Sequence, residues 1–359
     1  MKILCIIESL GSGGAERQLC GLAAMLKHRG YSVTLLYYIN FEFYKPLLDA
    51  EGVESRYVPE LSNKVLRPYR LATIIKNDGY DCVITYLTSV NLTACVARLF
   101  CKFPLVVSER NTNLQTTIKD ILTYNAYRIA DWIIPNSYSQ ETYIKEKFGF
   151  LSGKVKTIPN FVDSAKFVPS AKKTRNSIPV VLTLGRFTPQ KNCLNYMKAI
   201  KIFKERGGKA VFKWYGKIEN TNPYYQKVKR YVEDNDLQDM VILHDQTNNN
   251  VEVYGSADIF CLPSIYEGCP NTLVEAMSCG IPVICGNVCD NPLIVENGKN
   301  GYMFNPYHIE DIANTLFKVL RIDPTKKEEM SHFNRTKVVE KFGMDVFISQ
   351  YLNIISKTK

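Results

Sequence analysis

The stretch KILCIIESLGSGGAERQLCGLAAMLKHRGYSVTLLYY, residues 2–38, decides the fold class. An apolar run at 2–7 is followed by leucines and alanines at helical spacing between positions 19 and 26, and a second apolar run lies at 31–38. Continuous apolar strands joined through a helix are typical of a parallel sheet that is covered on both faces. The stretch therefore predicts an α/β layer.

The alternation of apolar runs and helical segments continues in two series. The first series has runs at 81–87, 104–109 and 131–137, and the second has runs at 179–187, 210–216, 240–245, 257–264 and 281–286. Between them, residues 164–179 combine basic residues and proline with little apolar periodicity, as expected of an exposed linker. The sequence predicts two doubly wound parallel-sheet domains, at 1–165 and 166–343, and an amphipathic helix at 344–359 that packs back near the first domain.

Length and composition agree with a globular protein of two domains. Single cores stop growing near about 250–300 residues, and this chain has 359 residues. With 46% hydrophobic and 22% charged residues, it is far from the composition of disordered proteins. Lys and Arg exceed Asp and Glu by 45 to 35, which favours anionic partners. The surplus divides evenly between the two halves of the chain, which disfavours a nucleic-acid binder.

Cysteine usage and hydropathy predict a cytoplasmic protein. The 11 cysteines include no C-x-x-C pair and several fall in apolar runs, as reduced core thiols do. Glu8 interrupts the first apolar run too early for a signal peptide. No window approaches about 18 uninterrupted apolar residues, so we expect any membrane contact to be peripheral.

A glycine-rich loop, Gly11-Ser-Gly13-Gly14-Ala-Glu16, lies between the first strand and the first helix. It differs from a dinucleotide fingerprint because Glu16 stands at the third glycine and no acidic residue ends the second strand. No G-x-x-x-x-G-K-[ST] motif is present either. A phosphate-facing or substrate-facing loop is the favoured interpretation, and a turn that only needs flexible backbone is the alternative.

Two carboxylates in the second half of the chain, Glu267 and Glu275, stand eight positions apart. We expect Glu267 in a strand-to-helix loop and Glu275 in the first turn of the following helix, both facing the carboxyl edge of the sheet, where ligands bind. The alternative for Glu275 is a capping box with Thr272, in which it only accepts from the cap amide.

Two basic residues, Arg186 and Lys191, follow the first strand of the same domain in GRFTPQKN, residues 185–192. A guanidinium fork and a compact ammonium at a turn that opens a helix suit a diphosphate. A solvated basic turn is the alternative.

These motifs, with GGAER at 13–17, IPN at 158–160 and EAMSCGIPV at 275–283, resemble the retaining GT-B-fold glycosyltransferases of family 4, of the bacterial surface-polysaccharide type. The resemblance runs along nearly the whole chain and is strongest in residues 180–305. It implies two Rossmann-like domains facing across a cleft, with a nucleotide sugar held by the C-terminal domain and an acceptor by the N-terminal one.

The resemblance also implies roles for individual residues. The catalytic set is Arg186 and Lys191, which would bind the donor diphosphate, together with Glu267, which would bind the transferred sugar. Glu275 would bind the ribose hydroxyls. The remaining donor-binding residues are the loop glycines Gly13 and Gly14 and the helix-start amides of Asn271, Thr272 and Leu273.

The chain departs from the family pattern at two places. Phe161 stands where many members have glycine, and Ser108-Glu109-Arg110-Asn111 stands where many have histidine. The candidates for meeting the acceptor are therefore Glu109 and Arg110, with Glu16 and Arg17; a polar strand end is the alternative for Glu109 and Arg110.

The resemblance implies retaining transfer of a hexose or N-acetylhexosamine from a nucleotide sugar, with UDP expected, to a glycan acceptor, and we expect this acceptor to be a lipid-diphosphate-linked glycan in O-antigen, capsule or lipopolysaccharide synthesis. We expect no cofactor and no metal, because basic residues supply the counter-charge and Asp234-Asn-Asp236 has the pattern of a polar helix end. The alternatives are a GT-B-fold UDP-sugar epimerase that acts without an acceptor and an inactive nucleotide-sugar-binding protein.

A basic segment predicts where a membrane would be contacted. Lys64, Arg67 and Arg70 lie in an acid-free stretch with interleaved apolar residues, as suits the anionic inner face of the cytoplasmic membrane. A solvated helix face is the alternative.

Overall fold

A computed structural model describes residues 1–110, 112, 115–170, 176–247 and 249–358. The chain divides into two compact units, one formed by residues 1–161 with 344–359 and the other by residues 162–343. The boundary between the units follows Phe161, whereas the sequence predicts it after residue 165. The terminal segment groups with the first unit.

The first unit is built on a parallel sheet of six strands in the order β3-β2-β1-β4-β5-β6. The strands are Lys2–Ile6 (β1), Ser32–Tyr37 (β2), Glu54–Tyr57 (β3), Cys82–Tyr86 (β4), Leu105–Glu109 (β5) and Trp132–Pro135 (β6). Its helices are Gly14–His28 (α1), Lys45–Ala50 (α2), Arg67–Asp78 (α3), Thr88–Ala97 (α4), Ile118–Ala126 (α5) and Tyr138–Lys147 (α6).

The second unit has a parallel sheet of six strands in the order β12-β11-β10-β7-β8-β9. The strands are Val180–Leu184 (β7), Val211–Tyr215 (β8), Val241–His244 (β9), Ile259–Leu262 (β10), Val283–Gly286 (β11) and Gly301–Phe304 (β12). The helices are Cys193–Glu205 (α7), Pro223–Asp234 (α8), Asn250–Gly255 (α9), Asn271–Ser278 (α10), Asn291–Ile294 (α11), Ile309–Leu320 (α12) and Pro324–Phe342 (α13), and the last helix, Met344–Ser356 (α14), belongs to the first unit.

Strand alternation explains why the apolar runs are continuous. Ile3 and Cys5 of β1 face a cluster that includes α1 and α14, whereas Leu4 and Ile6 face a cluster that includes α3, α4 and α5. Because successive side chains of a strand point to opposite faces, a sheet covered on both sides needs apolar residues at every position. The second unit repeats this arrangement with its own two clusters.

The segment expected to be an exposed linker is partly anchored to the second unit. Phe167 is buried against Tyr254, with ring centroids 5.9 Å apart. Arg335 donates to the carbonyl oxygens of Phe167 and Ser164, both at 2.6 Å. The prediction of a linker over 164–179 is therefore wrong for its first residues, because an aromatic side chain fixes them to the core. Residues 171–175 of that segment lie outside the described residues.

The thiols and helices agree with a protein folded around reduced cores. All 11 cysteines are thiols outside any disulfide, and all except Cys101 and Cys289 are buried. None of the described helices is long and apolar enough to cross a bilayer.

Candidate functional site

The carboxyl edge of the second sheet holds the donor residues that the sequence predicts. β7 ends next to Gly185, whose carbonyl accepts from the Trp214 indole at 2.8 Å. A Cβ on Gly216, after β8, would lie 2.2 Å from the same carbonyl oxygen. Only glycine therefore permits this close approach of the two strand ends. Arg186 follows directly, and its side chain is exposed.

A short 3₁₀ helix, Pro189–Lys191, is tied to the loop after β10. The Gln190 side-chain amide donates to the Tyr266 carbonyl at 3.1 Å, and the Ile265 amide donates to the Gln190 carbonyl at 2.9 Å. These two bonds hold the turn that carries Lys191 against the loop that carries Glu267.

The result is an ion pair between Lys191 Nζ and Glu267 Oε1, 2.5 Å apart. The side chains are 16% and 9% exposed, so the two charges compensate each other in a largely dehydrated setting. The sequence predicts both residues as donor ligands but does not predict that they pair. Lys191 is thus held at the sheet edge by a carboxylate.

Glu275 is placed differently from either prediction. It is the fifth residue of α10, which begins at Asn271 after Pro270 as the N-cap, so it does not lie in the first turn. The capping-box alternative is wrong, because Thr272 lies inside the helix and no side chain caps it. The Glu275 side chain is buried, and its Oε2 accepts from the Tyr254 hydroxyl at 2.9 Å.

The start of α10 supplies backbone amides near these carboxylates. Of the three predicted phosphate donors, the amides of Asn271, Thr272 and Leu273, that of Leu273 donates to the Pro270 carbonyl at 3.2 Å. A helix N-terminus favours anions through its aligned amides. The second unit therefore brings Arg186, Lys191, Glu267 and this helix start to the carboxyl edge of its sheet, whereas Glu275 is buried one turn further into the helix.

The Cys193 thiol near this edge is protonated at neutral pH and is therefore a poor nucleophile. Burial raises the pKa of the Cys193 thiol, at the start of α7, to about 12. The chemistry available here is electrostatic: positive charge and amides for an anion, and carboxylates for hydroxyl groups.

The other predicted residues lie in the first unit. Gly13 is the N-cap of α1, which begins at Gly14. The Glu16 carboxylate folds back to the position that a Cβ on Gly13 would occupy. Burial raises the pKa of the Glu16 carboxyl, and the nearby Glu8 carboxylate acts in the same direction, against a hydrogen bond from the backbone. The helix N-terminus predicted to bind phosphate therefore already faces a carboxylate of its own chain. Arg17, on the same turn, is half-buried.

Glu109, predicted to meet the acceptor, is inside the first unit. It is 3% exposed, and its carboxylate accepts from Tyr127, from Asn91 at 3.2 Å and from Thr88 at 3.3 Å. Burial raises the pKa of Glu109, and these three hydrogen bonds partly offset that rise. The Glu109 side chain is thus enclosed by its own unit, as its alternative of a polar strand end describes, and its contact with the acceptor stays a prediction.

Arg110 links β5 to the terminal helix. Its two terminal nitrogens donate to Asn160 Oδ1 and to the Tyr351 hydroxyl, both at 2.8 Å, and its guanidinium lies 3.8 Å from the centre of the Tyr86 ring. Both terminal nitrogens therefore have partners within the first unit. Asn111, from the same motif, lies outside the described residues.

The structure explains how the chain accommodates Phe161 in place of the family glycine. The Phe161 ring lies where a Cβ on Gly21 would be, and it packs against Phe347 at 5.0 Å. The buried Gln18 side chain donates to the Phe161 carbonyl at 2.8 Å and accepts from its amide at 3.0 Å. Gln18 was not predicted, although a lone amide on the apolar face of α1 is a signal that could have found it.

Two further predictions concern surface residues. Asp234 ends α8 and both it and Asp236 are exposed, as the sequence predicts. Across the described part of the chain, no three His, Cys, Asp or Glu side chains are grouped as a metal ion would require.

The prediction of a basic membrane-contacting segment is wrong for one of its three residues, Arg67. Arg67 is buried: it donates to the Leu61 and Ser62 carbonyls and to the Tyr38 hydroxyl at 3.1 Å. Three hydrogen-bond acceptors surround its guanidinium. Arg67 therefore stabilises the chain at the start of α3. Lys64 is exposed and Arg70 is half-buried, with a bond to the Glu60 carbonyl.

Comparisons with known proteins match both units. Residues 12–166 match the family model described as Glycosyltransferase Family 4, and residues 166–337 match the model Glycosyl transferases group 1. The chain is 27% identical, over 86% of its length and 87% of the relative, to an Escherichia coli UDP-Gal:alpha-D-GlcNAc-diphosphoundecaprenol alpha-1,3-galactosyltransferase. It is 25% identical, over 100% of its length and 99% of the relative, to a Campylobacter jejuni N-acetylgalactosaminyltransferase named for a diNAcBac-PP-undecaprenol-linked acceptor.

Solved structures share the fold. Anabaena HepE, in complex with UDP and glucose, superposes with a TM-score of 0.87 at 18% identity, covering 99% of this chain and 100% of that one. The lipopolysaccharide outer core galactosyltransferase WaaB superposes with a TM-score of 0.76 at 20% identity, covering 99% and 100%.

Proposed function

The chain belongs to the GT-B-fold glycosyltransferases of family 4, and on that premise we propose that it transfers a hexose or N-acetylhexosamine from a UDP-sugar to a lipid-diphosphate-linked glycan in surface-polysaccharide synthesis. The observation that carries the proposal is the carboxyl edge of the second sheet. Arg186 is exposed after β7, the Lys191–Glu267 pair joins the following turn to the loop before α10, and Glu275 is buried within α10.

The donor is held by charge complementarity. Arg186 offers a planar fork to the diphosphate, and Lys191 offers a point charge that Glu267 keeps at the sheet edge. Once Lys191 turns to the diphosphate, the Glu267 carboxylate is released to accept from the hydroxyls of the transferred sugar. Glu275, fixed by Tyr254, accepts from the ribose hydroxyls.

The reaction exchanges one bond at the sugar C1 atom for another. The bond from C1 to the diphosphate oxygen breaks, a bond from C1 to the acceptor hydroxyl oxygen forms, and the hydroxyl proton passes to the departing diphosphate. Attack on the face that the diphosphate leaves retains the configuration at C1. Arg186, Lys191 and the amides at the start of α10 stabilise the negative charge that develops on the leaving group.

The names of two relatives support the proposed class of acceptor. Both are named for acceptors linked through diphosphate to undecaprenol. By analogy the first unit of this chain binds such an acceptor, and the enzyme works as a peripheral protein at the inner face of the cytoplasmic membrane.

The test is a panel of nucleotide sugars, each incubated with and without an undecaprenyl-diphosphate-linked sugar, with both products identified by mass spectrometry. We expect one UDP-sugar to be consumed only with the acceptor, which gains one sugar while UDP is released. Conversion of a UDP-sugar without any acceptor would instead identify an epimerase, and binding without turnover an inactive protein.

Turnover is expected to be independent of divalent metal, because the diphosphate is neutralised by Arg186 and Lys191. The same assay in EDTA, with and without added Mn²⁺, measures this. Activity that is lost in EDTA and restored by Mn²⁺ would show that the basic residues are insufficient.

Tyr254→Phe is expected to weaken donor binding more than catalysis. The change removes one hydrogen bond to the buried Glu275, so KM for the donor should rise about fivefold, equivalent to about 1 kcal/mol, with kcat little changed. Steady-state kinetics measure the split between KM and kcat. Tyr231→Phe, on α8 of the same unit, is the control. A loss of stability with an unchanged KM would reduce Tyr254 to a packing residue.

A further inference from the structure

We infer that the amino edge of the first sheet carries a second anion site, which binds a soluble phosphate compound and goes beyond the proposed function. The site is an open pocket of about 460 Å³. Among the described residues that line it, four are cationic, Arg98, Arg128, Lys154 and Lys357, and one, Asp131, is acidic. A concave lining with this surplus of positive charge attracts a multivalent anion.

Backbone bonds of Asp131 fix the pocket at the start of two strands. The amide of Leu105, the first residue of β5, donates to Asp131 Oδ2 at 2.7 Å, and the Asp131 amide donates to the Leu105 carbonyl at 2.9 Å. Trp132, which begins β6, also lines the pocket. Substrates of open α/β sheets bind at the opposite, carboxyl edge. Since β5 has five residues, the two edges lie about 16 Å apart at about 3.3 Å per residue.

Backbone carbonyl groups hold two of the cations in place without neutralising them. Lys154 Nζ donates to the Arg128 carbonyl at 2.7 Å and to the Ala130 carbonyl at 2.8 Å. Arg98 donates to the Ile129 carbonyl and pairs with Asp131, with nitrogen and oxygen 2.9 Å apart. A carbonyl oxygen carries no net charge, so the Lys154 ammonium keeps its full charge. An ammonium has three N–H donors, and one of them therefore remains for a ligand.

The other two cations, Arg128 and Lys357, are exposed at the mouth of the pocket. The Arg128 guanidinium lies 4.0 Å from the centre of the Phe150 ring, which holds it by a cation–π contact rather than by a carboxylate. Among the ion pairs of the described residues, none includes Arg128, Lys154 or Lys357. The single carboxylate of Asp131 thus leaves most of the positive charge of the lining uncompensated.

The titration of Lys154 agrees with this crowding of positive charge. Burial lowers the pKa of Lys154, and the Arg98 guanidinium acts in the same direction, whereas the Asp131 carboxylate opposes both. An anion bound between Lys154 and Arg98 would stabilise the charged ammonium. The pocket is therefore a place where an anion relieves an unfavourable interaction that is already present.

The lining suits phosphate groups in particular. Guanidinium forks pair with two phosphate oxygens at once, and ammonium groups add point charges. The surplus of positive charge matches a diphosphate, and the volume lies in the range of small-molecule sites, about 300–1,000 Å³. A nucleic acid fits less well, because it needs a strongly basic domain, whereas the surplus charge of this chain divides evenly between its halves.

A bound anion would join segments that are distant in the sequence. The four cations lie after α4, in the 3₁₀ segments Tyr127–Ile129 and Gly149–Lys154, and after α14. A ligand that bridges them binds the folded chain and not the unfolded one, so it stabilises the first unit. It would also hold the end of α14 at the amino edge of the sheet, as the bonds of Tyr351 hold the middle of that helix at the carboxyl edge.

Calorimetric titration of inorganic pyrophosphate into the full chain tests the inference. Saturating UDP is present, so that Arg186 and Lys191 do not contribute, and the ionic strength is held constant. We expect one pyrophosphate per chain and a higher thermal unfolding midpoint. Arg128→Gln/Lys357→Gln should weaken binding at least tenfold and remove the rise of the midpoint. Both side chains are exposed, and circular dichroism establishes that the variant is folded.

The matched control is Lys227→Gln/Arg230→Gln, which removes the same charge from two exposed residues of α8 and should bind pyrophosphate as the wild type does. Equal binding by the wild type and Arg128→Gln/Lys357→Gln would overturn the inference. Equal weakening by the two double variants would also overturn it, because the attraction would then be diffuse. Binding of a short-chain phosphatidic acid without binding of pyrophosphate would assign the cations to a lipid headgroup and refute a soluble ligand.

Sugar transfer separates this inference from the proposed function. Without pyrophosphate, Arg128→Gln/Lys357→Gln should transfer sugar at the wild-type rate, since neither residue belongs to the donor site. Pyrophosphate binding that this variant loses, in a chain that transfers no sugar to any acceptor, would refute the proposed function alone. Sugar transfer by a chain that binds no pyrophosphate in the presence of UDP would refute the second anion site alone.

Discussion

Arg186→Ala lowers kcat for sugar transfer by about 10²–10³-fold and leaves the thermal unfolding midpoint unchanged. The loss of one preorganised hydrogen-bond donor to a developing negative charge typically lowers kcat by this factor. The side chain is exposed, so its loss opens no cavity and strands no buried partner. Steady-state kinetics and a melting curve measure the two effects.

Arg230→Ala is the control for this variant, because Arg230 is an exposed arginine of the same unit on α8. It should have wild-type kinetics. Turnover at the wild-type rate by Arg186→Ala would remove the guanidinium from the mechanism.

Lys191→Ala affects both activity and stability. Transfer should again fall by about 10²–10³-fold. In addition, Glu267 loses the ammonium 2.5 Å from its carboxylate in a largely dehydrated setting. Removal of one partner of a buried ion pair lowers the free energy of unfolding by about 3–5 kcal/mol. Because this pair is partly exposed, we expect a loss of about 3 kcal/mol.

The double variant Lys191→Ala/Glu267→Gln separates the two effects. Replacing the Glu267 carboxylate, which has lost its lysine, should restore most of the unfolding free energy, whereas transfer stays as low as in Lys191→Ala. Urea unfolding gives the coupling energy through a double-mutant cycle. Lys201→Ala is the control, since Lys201 and Glu205 form an exposed pair 3.8 Å apart, and it should cost about 0–1 kcal/mol. Recovery of transfer in the double variant would mean that Lys191 only neutralises Glu267.

The strands buried on both faces could be predicted from the sequence, whereas two of the four edge strands, β3 and β12, could not. Runs such as 104–109 and 281–286 are apolar because helices cover both faces of β5 and β11. β3 has exposed residues at its ends and carries the polar sequence ESRY, so it lacks an apolar run. β12, the other edge strand that the sequence did not predict, is a four-residue strand that begins with glycine.

At the candidate site, sequence could predict the residues but not their partners. Spacing and strand ends indicate Arg186, Lys191, Glu267 and Glu275 as candidates. The Lys191–Glu267 pair joins positions 76 residues apart, and the Tyr254–Glu275 bond depends on the packing of α9 against α10. Arg67 was predicted to be exposed because its stretch has no acidic residue. It is buried, because backbone carbonyl groups rather than carboxylates accept its hydrogen bonds.

Calorimetric titration of UDP into the full chain tests most directly whether the carboxyl edge of the second sheet holds a nucleotide diphosphate. We predict that one UDP binds per chain, and that Arg186→Ala and Lys191→Ala each weaken binding at least tenfold while Arg230→Ala has no effect. Equal affinity for UDP in the wild type and in both site variants would contradict the assignment of this edge as the donor site.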